Sequence, residues 1–388
     1  MLRLLPLGLG AFVVGTDAYM TAGLLPGIAR DTHGSVAAVG QLVTAFTLCY
    51  ALLAPLLGSL LSRLRARRVL LWALAVFTAA NLATALAGTT GLLLAARSVA
   101  GVGAGLFMPV AATAAAALAE PGRRARALAV VLGGLSSGTV LGVPLGLALA
   151  DRWGWRAALW LVTALGAAAL LGTARLLPDI TTVTMPGLRR RLAQLRDPKV
   201  GAVVAATFLQ TTASLGLYTY LAAVLHGSVA VWQLWLWGLG GVAGSFGVGP
   251  LMDRWGRPAA FSAVLLAVLA GSLAGLAVLR SLVAVAPLLL VWGAAGWAFV
   301  VPQQHRLLAR DQGGGPAALA LNSSATYLGG SVGSALGGLA LARGVPATGL
   351  PLLACAAAVA GLLLQLTAGD GAPSAAGARS AEAQPTEP

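Results

Sequence analysis

Twelve long apolar runs in a chain of 388 residues predict an all-α membrane protein, with twelve transmembrane helices in two parallel six-helix repeats. Three observations carry that expectation. Hydrophobic residues make up 58% of the chain and charged residues 9%, where a soluble domain carries about 25% charged residues. The basic residues gather in alternate connections between the runs. Two glycine-bearing motifs recur at a single spacing in the second half of the chain.

The first set of spans is placed near 6–28, 36–61, 68–88, 91–119, 126–150 and 155–177. The second lies near 200–225, 230–252, 258–280, 282–308, 316–343 and 346–368. Each is long enough for a hydrocarbon core of ~30 Å, which takes about 20 helical residues. Residues 1–23 have the order of a leader, with Arg3 ahead of an apolar stretch. Asp17 interrupts that stretch and no small-residue cleavage site follows, so a retained first helix is expected. The domain organisation is therefore a bundle over 1–177, a basic linker over 178–199 with Arg189, Arg190, Arg191, Arg196 and Lys199, and a second bundle over 200–368. The tail over 369–388, rich in Ala, Gly, Pro, Ser and Glu, is expected to be disordered.

Orientation follows from Lys and Arg in the connections. An N-terminus inside puts 19 of them on the cytoplasmic side and 5 on the other, with Arg97 inside a span. Both termini are thus expected in the cytoplasm, and the count includes Arg306 as a connection residue. The net charge of +14 belongs to this topology and not to a nucleic-acid surface. Cys49 and Cys355 fall in spans and the three histidines are scattered, so neither a disulfide framework nor a metal site is called for. Gly101-Val-Gly103-Ala-Gly105 follows no strand, and there is no Gly-rich loop ending in Lys-Ser or Lys-Thr. Nucleotide binding, ATP hydrolysis and any cofactor are not expected.

The repeat shows in two places. Gly58 and Arg63 recur as Gly249 and Arg254, and Gly138, Gly142 and Gly146 recur as Gly329, Gly333 and Gly337, both at an offset of 191 residues. Parallel halves of this kind form transporters that hold substrate near the midplane between them. The glycines at fourfold spacing set small residues on one helix face for close packing. Pro144 withdraws a backbone donor within the first ladder, where a bend is expected.

Asp17 is the one acid placed deep in a span, where a carboxylate costs roughly 2.5–3.5 kcal/mol. Two readings stand: a group that takes and releases a proton as access alternates, or a static pair with Arg97 or a helix-packing hydrogen bond. Arg97, about two turns into its span, either pairs with Asp17 and biases its protonation or snorkels outward. Polar and aromatic residues within spans outline a substrate cavity: Tyr19, Thr21, Tyr50, Gln210, Ser214, Tyr218, Asn322, Thr326 and Tyr327. Asp17 and Thr21, Gln210 and Ser214, and Asn322 and Thr326 share faces at i and i+4. The alternative is that their polar groups join helices at about 0.6 kcal/mol apiece. Trp232, Trp235 and Trp237, near one membrane face, are expected as interfacial anchors.

These residues resemble the major facilitator superfamily and, within it, the twelve-helix drug:proton antiporter branch. Gly249-Pro-Leu-Met-Asp253-Arg254-Trp-Gly256-Arg257 is similar to the family's cytoplasmic latch motif. The first half reads Gly58-Ser-Leu-Leu-Ser62-Arg63-Leu-Arg65, with Ser62 where the acid stands and Arg65 where the glycine stands. Arg97-Ser-Val-Ala-Gly101 resembles the motif whose arginine the family associates with proton coupling. Gly138-Thr-Val-Leu-Gly142-Val-Pro144-Leu-Gly146, followed by Gly154-Trp155-Arg156, resembles the antiporter motif. Gly15-Thr16-Asp17 and Leu321-Asn322-Ser-Ser are similar to bacterial exporters of nucleosides, sugars and chloramphenicol.

The resemblance implies a proton-coupled exporter of a small organic molecule, a functional monomer in a bacterial inner membrane, with protons and the lipid bilayer as its other partners and no enzymatic activity. An importer on the same fold and a membrane-embedded non-transport subunit remain as alternatives.

Overall fold

The computed structural model describes residues 2–61, 64–120, 123–179, 187–225, 231–279, 281–309 and 315–367. The described residues are helical, with no strand, because a backbone in hydrocarbon must satisfy its hydrogen bonds within each segment. The first half comprises α1 (Leu5–Asp31), α2 (Val36–Leu60), α3 (Ala66–Leu86), α4 (Thr90–Leu118), α5 and α6 (Trp155–Leu176). Helix α5 runs through three segments, Arg124–Ser137, a π-helical turn Gly138–Gly142, and Val143–Trp153. The second half comprises α7 (Pro198–Thr219, with a short continuation Leu221–Val224), α8 (Val231–Trp255), α9 (Pro258–Val278), α10, α11 (Gly315–Ala342) and α12 (Leu350–Thr367). Helix α10 has two segments, Leu282–Ala298 and Val300–Leu308.

Local chemistry sets several boundaries. The Ser35 hydroxyl accepts from the Ala38 amide at 3.1 Å and starts α2, and Thr89 does the same for Leu92 at 3.3 Å at α4. Asp197 caps the Lys199 amide at 2.9 Å while Pro198 opens α7. Gly154 and Gly256, at φ +83° and +59°, make the sharp turns between α5 and α6 and between α8 and α9. In the linker, expected as a polar segment, Leu188–Ala193 forms a short helix.

Eleven helices among the described residues are both long and apolar enough to cross a membrane. Helix α11 is long enough but falls outside that set, because Asn322, Ser323, Ser324, Ser331 and Ser334 dilute its apolar residues. Outward faces carry exposed leucines, such as Leu141, Leu352 and Leu363, as expected where lipid and not water is the outer solvent.

The two halves repeat one packing scheme. Helix α1 packs on α5 and α6, α4 on α2 and α3, and α3 on α6. Six helices later, α7 packs on α11 and α12, α10 on α8 and α9, and α9 on α12. The glycine ladders sit at the tightest of these contacts. A Cβ on Gly138, Gly142 or Gly146 would lie 2.1 Å from the Phe12 carbonyl oxygen, 1.9 Å from Thr16 Oγ1 or 2.0 Å from Met20 Sδ, all on α1. A Cβ on Gly329, Gly333 or Gly337 would meet Thr211, Thr212 or Tyr220 of α7 and its continuation at 2.2–2.6 Å. With an even number of spans, α1 begins and α12 finishes at one end of the bundle, here the terminal end; the opposite one is the far end.

Candidate functional site

Asp17 and Arg97 meet inside the first half. Asp17 is at mid-length of α1 and Arg97 on α4, and Arg97 Nη1 donates to Oδ1 and Oδ2 of Asp17 at 2.7 and 2.8 Å. Both side chains are out of contact with solvent, at 0% and 1% exposure. Asn81 of α3 is buried beside the same carboxylate, with its Nδ2 donating to the Phe77 carbonyl oxygen at 3.0 Å, and the Phe46 ring of α2 lies under the guanidinium at 4.5 Å. Four helices thus converge on one charge pair. Their approach depends on Gly101, where a Cβ would lie 2.1 Å from the Phe46 carbonyl oxygen. Arg97 Nε finds no hydrogen-bond partner among the described residues, so the pair carries one unsatisfied donor. A buried ion pair repays its desolvation only while both charges persist, and loss of either charge leaves the other uncompensated.

Two residues beyond Asp17, Tyr19 enters an aromatic cluster built from both halves. Its ring lies 5.9 Å from Tyr218 of α7, 5.7 Å from Trp237 of α8 and 5.7 Å from Trp297 of α10. Trp237 packs at 4.2 Å on Tyr218 and at 6.1 Å on Trp292. Next to it Tyr50 of α2 stacks on Tyr327 of α11 at 3.5 Å. Four of the five tyrosines in the chain thus meet where the halves join. Offset and edge-on rings of this kind present flat apolar faces with polar hydroxyl and indole rims, a surface suited to planar organic molecules.

The chain matches the model of the Major Facilitator Superfamily over residues 7–313. It belongs to that superfamily. It is 31% identical over 369 residues to the inner membrane transport protein YdhP of Escherichia coli K12, covering 94% of each chain. It is 36% identical over 275 residues to a chloramphenicol resistance protein of Streptomyces lividans, covering 67% of this chain and 69% of that one. Among solved structures, the nucleoside transporter NupG superposes with a TM-score of 0.77 at 11% identity, over 95% of this chain and all of that one. The chain is accordingly a major facilitator transporter, and the two six-helix repeats are those of the superfamily fold.

The remaining polar residues of the facilitator's interior fall into place differently. Thr21 bonds the Asp17 carbonyl oxygen and Thr326 that of Asn322, each within its own helix. Gln210 donates to the Gly296 carbonyl oxygen at 3.2 Å, and Ser214 accepts from Trp292 Nε1 at 2.8 Å, so this i, i+4 pair ties α7 to α10. Asn322 is buried with its side-chain oxygen unpartnered among the described residues. Of the latch residues, Gly58 is in the last turn of α2, and Ser62 and Arg63 lie outside the described residues. Gly249, Asp253 and Arg254 are in the terminal turns of α8, Gly256 forms the turn, and Arg257 precedes α9. The side chain of Asp253 lies outside the description, and Arg254 and Arg257 are exposed.

Two expectations are corrected. Trp237 is no interfacial anchor: it is wholly buried at the centre of the aromatic cluster, because α8 begins at Val231 and carries it about two turns inward. Trp232 and Trp235 are partly exposed. Arg306 is not in a connection: it is buried in the second segment of α10 and donates to Gln365 of α12 at 2.8 Å and to Gln303 at 3.1 Å. In that polar stretch Arg306 bridges Gln303 and Gln365, and Gln365 Nε2 donates in turn to the Ala259 carbonyl oxygen at 3.2 Å.

Sequence reasoning passed over Trp292 and Trp297. A usable signal was present: Gly293 and Gly296 stand beside them, and a Cβ on Gly293 would lie 2.0 Å from the Trp237 carbonyl oxygen, which brings α10 and its indoles against α8.

Both junctions between the halves close toward the far end. Helix α2 meets α11 where Ser331 and Ser334 donate to the Thr44 and Gly40 carbonyl oxygens, each at 3.2 Å. Helix α5 meets α8 where Trp235 Nε1 donates to the Val140 carbonyl oxygen at 3.0 Å. That carbonyl stands four residues before Pro144, which has no N–H to give it, and the π-helical turn precedes the same proline. Beyond the cluster a cavity of about 360 Å³ opens at the far end, lined by Gly23, Pro26, Arg30, Asp31, Asp151 and Trp155 among others.

Proposed function

We propose that the protein exports a small, largely planar organic molecule in exchange for protons, by alternating access between bundles 1–177 and 200–368 joined by the basic linker 178–199. The observation that carries the reading is the buried Asp17–Arg97 pair two residues from the aromatic cluster. Tyr19, Tyr50, Tyr218 and Tyr327 hold the substrate between their faces, with Trp237, Trp292 and Trp297 closing the second-half wall. A proton on Asp17 ends its pairing with Arg97 and frees the guanidinium to draw on neighbouring dipoles. The strain so created at α1 and α4 passes to Tyr19, and its release on deprotonation resets the cycle. One proton moving down the potential supplies ~2.3 kcal/mol per 100 mV.

The connections' charge asymmetry supports termini in the cytoplasm, so the far end, toward which both junctions between the halves close, faces outward. Gly58, Ser62, Arg63, Gly249, Asp253, Arg254, Gly256 and Arg257 act as the latch that engages at the terminal end when the protein opens outward. The relatives' names support an antibiotic-like cargo, and the motif with Pro144 supports the outward direction. The protein works as a monomer in the cytoplasmic membrane.

Everted vesicles from cells overproducing the protein test this. Acidifying their lumen should drive loading of a panel antibiotic such as chloramphenicol, and Asp17→Asn, made to the same level, should load none. Loading driven by an alkaline lumen instead would establish an importer, and loading unchanged by Asp17→Asn would remove the proposed coupling site.

A further inference from the structure

The linker helix has a face that neither the transport site nor the latch uses. In Leu188–Ala193 and the turn Gln194–Arg196 that extends it, Leu188, Leu192 and Leu195 stand at i, i+4 and i+7, one stripe by helical periodicity, and all three are exposed. Arg189, Arg196 and Lys199 flank the stripe and are exposed as well. Arg191, three residues after Leu188 and four before Leu195, borders the stripe on its other edge and is buried, so the helix meets the bundle along that edge. The helix rests on α11 and also touches α2, one helix from each half. It lies beyond the ends of the spans at the terminal end, in the zone where a bilayer changes from hydrocarbon to headgroups.

A leucine stripe bordered by cations, outside the spans of a membrane protein, meets the requirements of a helix lying in the interface plane: apolar side chains reach the acyl boundary and the cations meet phosphates. Its electrostatic surroundings agree. Arg65, Arg68 and Arg175 are on the same end of the bundle, while the nearby acids are engaged, Asp179 with Arg65 and Asp197 with the Lys199 amide. The Asp197 carboxylate keeps its charge while it caps that amide, so residues 188–199 carry five cations, Arg189, Arg190, Arg191, Arg196 and Lys199, against one acid. A second copy of this chain would bring the same positive patch against it.

We propose that residues 188–199 form a bilayer-docking element that binds the anionic headgroups of the adjacent leaflet, and that the docked helix, resting on α2 and α11 together, makes the separation of the two halves depend on lipid charge.

The full-length protein is reconstituted with Cys49 and Cys355 replaced and a nitroxide on Leu192→Cys or Leu195→Cys. In phosphatidylcholine vesicles containing phosphatidylglycerol, both labels should relax more with oxygen than with a water-soluble nickel complex. In phosphatidylcholine alone the preference should fall or reverse. Arg189→Gln with Arg196→Gln and Lys199→Gln should remove the lipid dependence. Because those cations also bear on topology, a second variant keeps them: Leu188→Ser with Leu195→Ser, read from the label at Leu192→Cys, should shift that label toward the nickel complex. Labels that read as water-exposed in both lipid mixtures would overturn the proposal. So would labels shielded from both reagents regardless of lipid charge, the signature of a protein occupant.

Discussion

The same two helices join differently in the two halves. In the first, α1 and α4 are tied by the ion pair Asp17–Arg97. In the second, the equivalent α7 and α10 are tied by neutral bonds, Gln210 to the Gly296 carbonyl oxygen and Trp292 to Ser214. The packing scheme is otherwise shared, down to glycine ladders that bring α5 onto α1 and α11 onto α7. The fold therefore has no need of a charge at this joint. A carboxylate and a guanidinium withdrawn from water each carry a penalty of several kcal/mol, and uncharged groups serve the second half without it. That contrast is the ground on which the proposed coupling role of the pair rests.

The largest effect should come from splitting the pair. Arg97→Gln leaves Asp17 buried without its counter-charge and should destabilise by about 3–5 kcal/mol. The check is thermal unfolding in detergent, with a drop in the yield of monodisperse protein. Asp17→Asn should be destabilising for the same reason, yet the double variant Asp17→Asn, Arg97→Gln should recover most of the stability. It should not recover proton-driven transport. A double variant that remained as unstable as Arg97→Gln would mean that the pair is a structural brace, and the contrast between the halves would lose its functional meaning.

Next in size is the glycine test, which asks whether the ladders are equivalent. Gly142→Val places its branches within the space of Thr16, and Gly333→Val does so against Thr212 and Gly216. Overpacking costs typically 1–3 kcal/mol, and both should lower the melting temperature alike. Gly142→Val should in addition impair transport out of proportion to its stability loss, since Thr16 adjoins Asp17 and α5 carries the π-helical turn. Equal losses in transport for equal losses in stability would reduce both ladders to packing.

How much of this the sequence disclosed depends on the scale asked about. Span positions were legible because hydrocarbon imposes length and apolarity on each helix, and the repeat because glycines at helix contacts cannot be replaced without a clash. Asp17 and Arg97 stood out since ionisable residues are rare within spans. Trp237 and Arg306 were misplaced because hydropathy locates a helix along the chain but not its rotation or its depth: α8 starts early enough to carry Trp237 inward, and α10 continues past its apolar part through Arg306. The aromatic cluster was half legible. The tyrosines were visible as polar groups within spans, whereas Trp292 and Trp297 read as ordinary apolar residues until the partner helices were known.

The smallest effect concerns the junctions, where the halves touch one another. Two serine hydroxyls and the Tyr50–Tyr327 stack hold α2 to α11, but between α5 and α8 the described hydrogen bond is that of Trp235 to the carbonyl freed by Pro144. Trp235→Phe removes the donor and keeps most of the apolar ring, so it should cost about 0.5–1.5 kcal/mol of the far-closed state. That corresponds to a shift of no more than roughly tenfold in the balance between conformations. Distance measurements between spin labels at the far ends of α5 and α8 should show the open population rising, with little change between labels on α2 and α11. Ser331→Ala should move the second pair of labels instead, and by less, because a hydroxyl bond between helices in lipid averages about 0.6 kcal/mol. If Trp235→Phe and Ser331→Ala opened both junctions equally, the halves would move as one rigid rocker, and the proline-freed carbonyl would have no separate part in the motion.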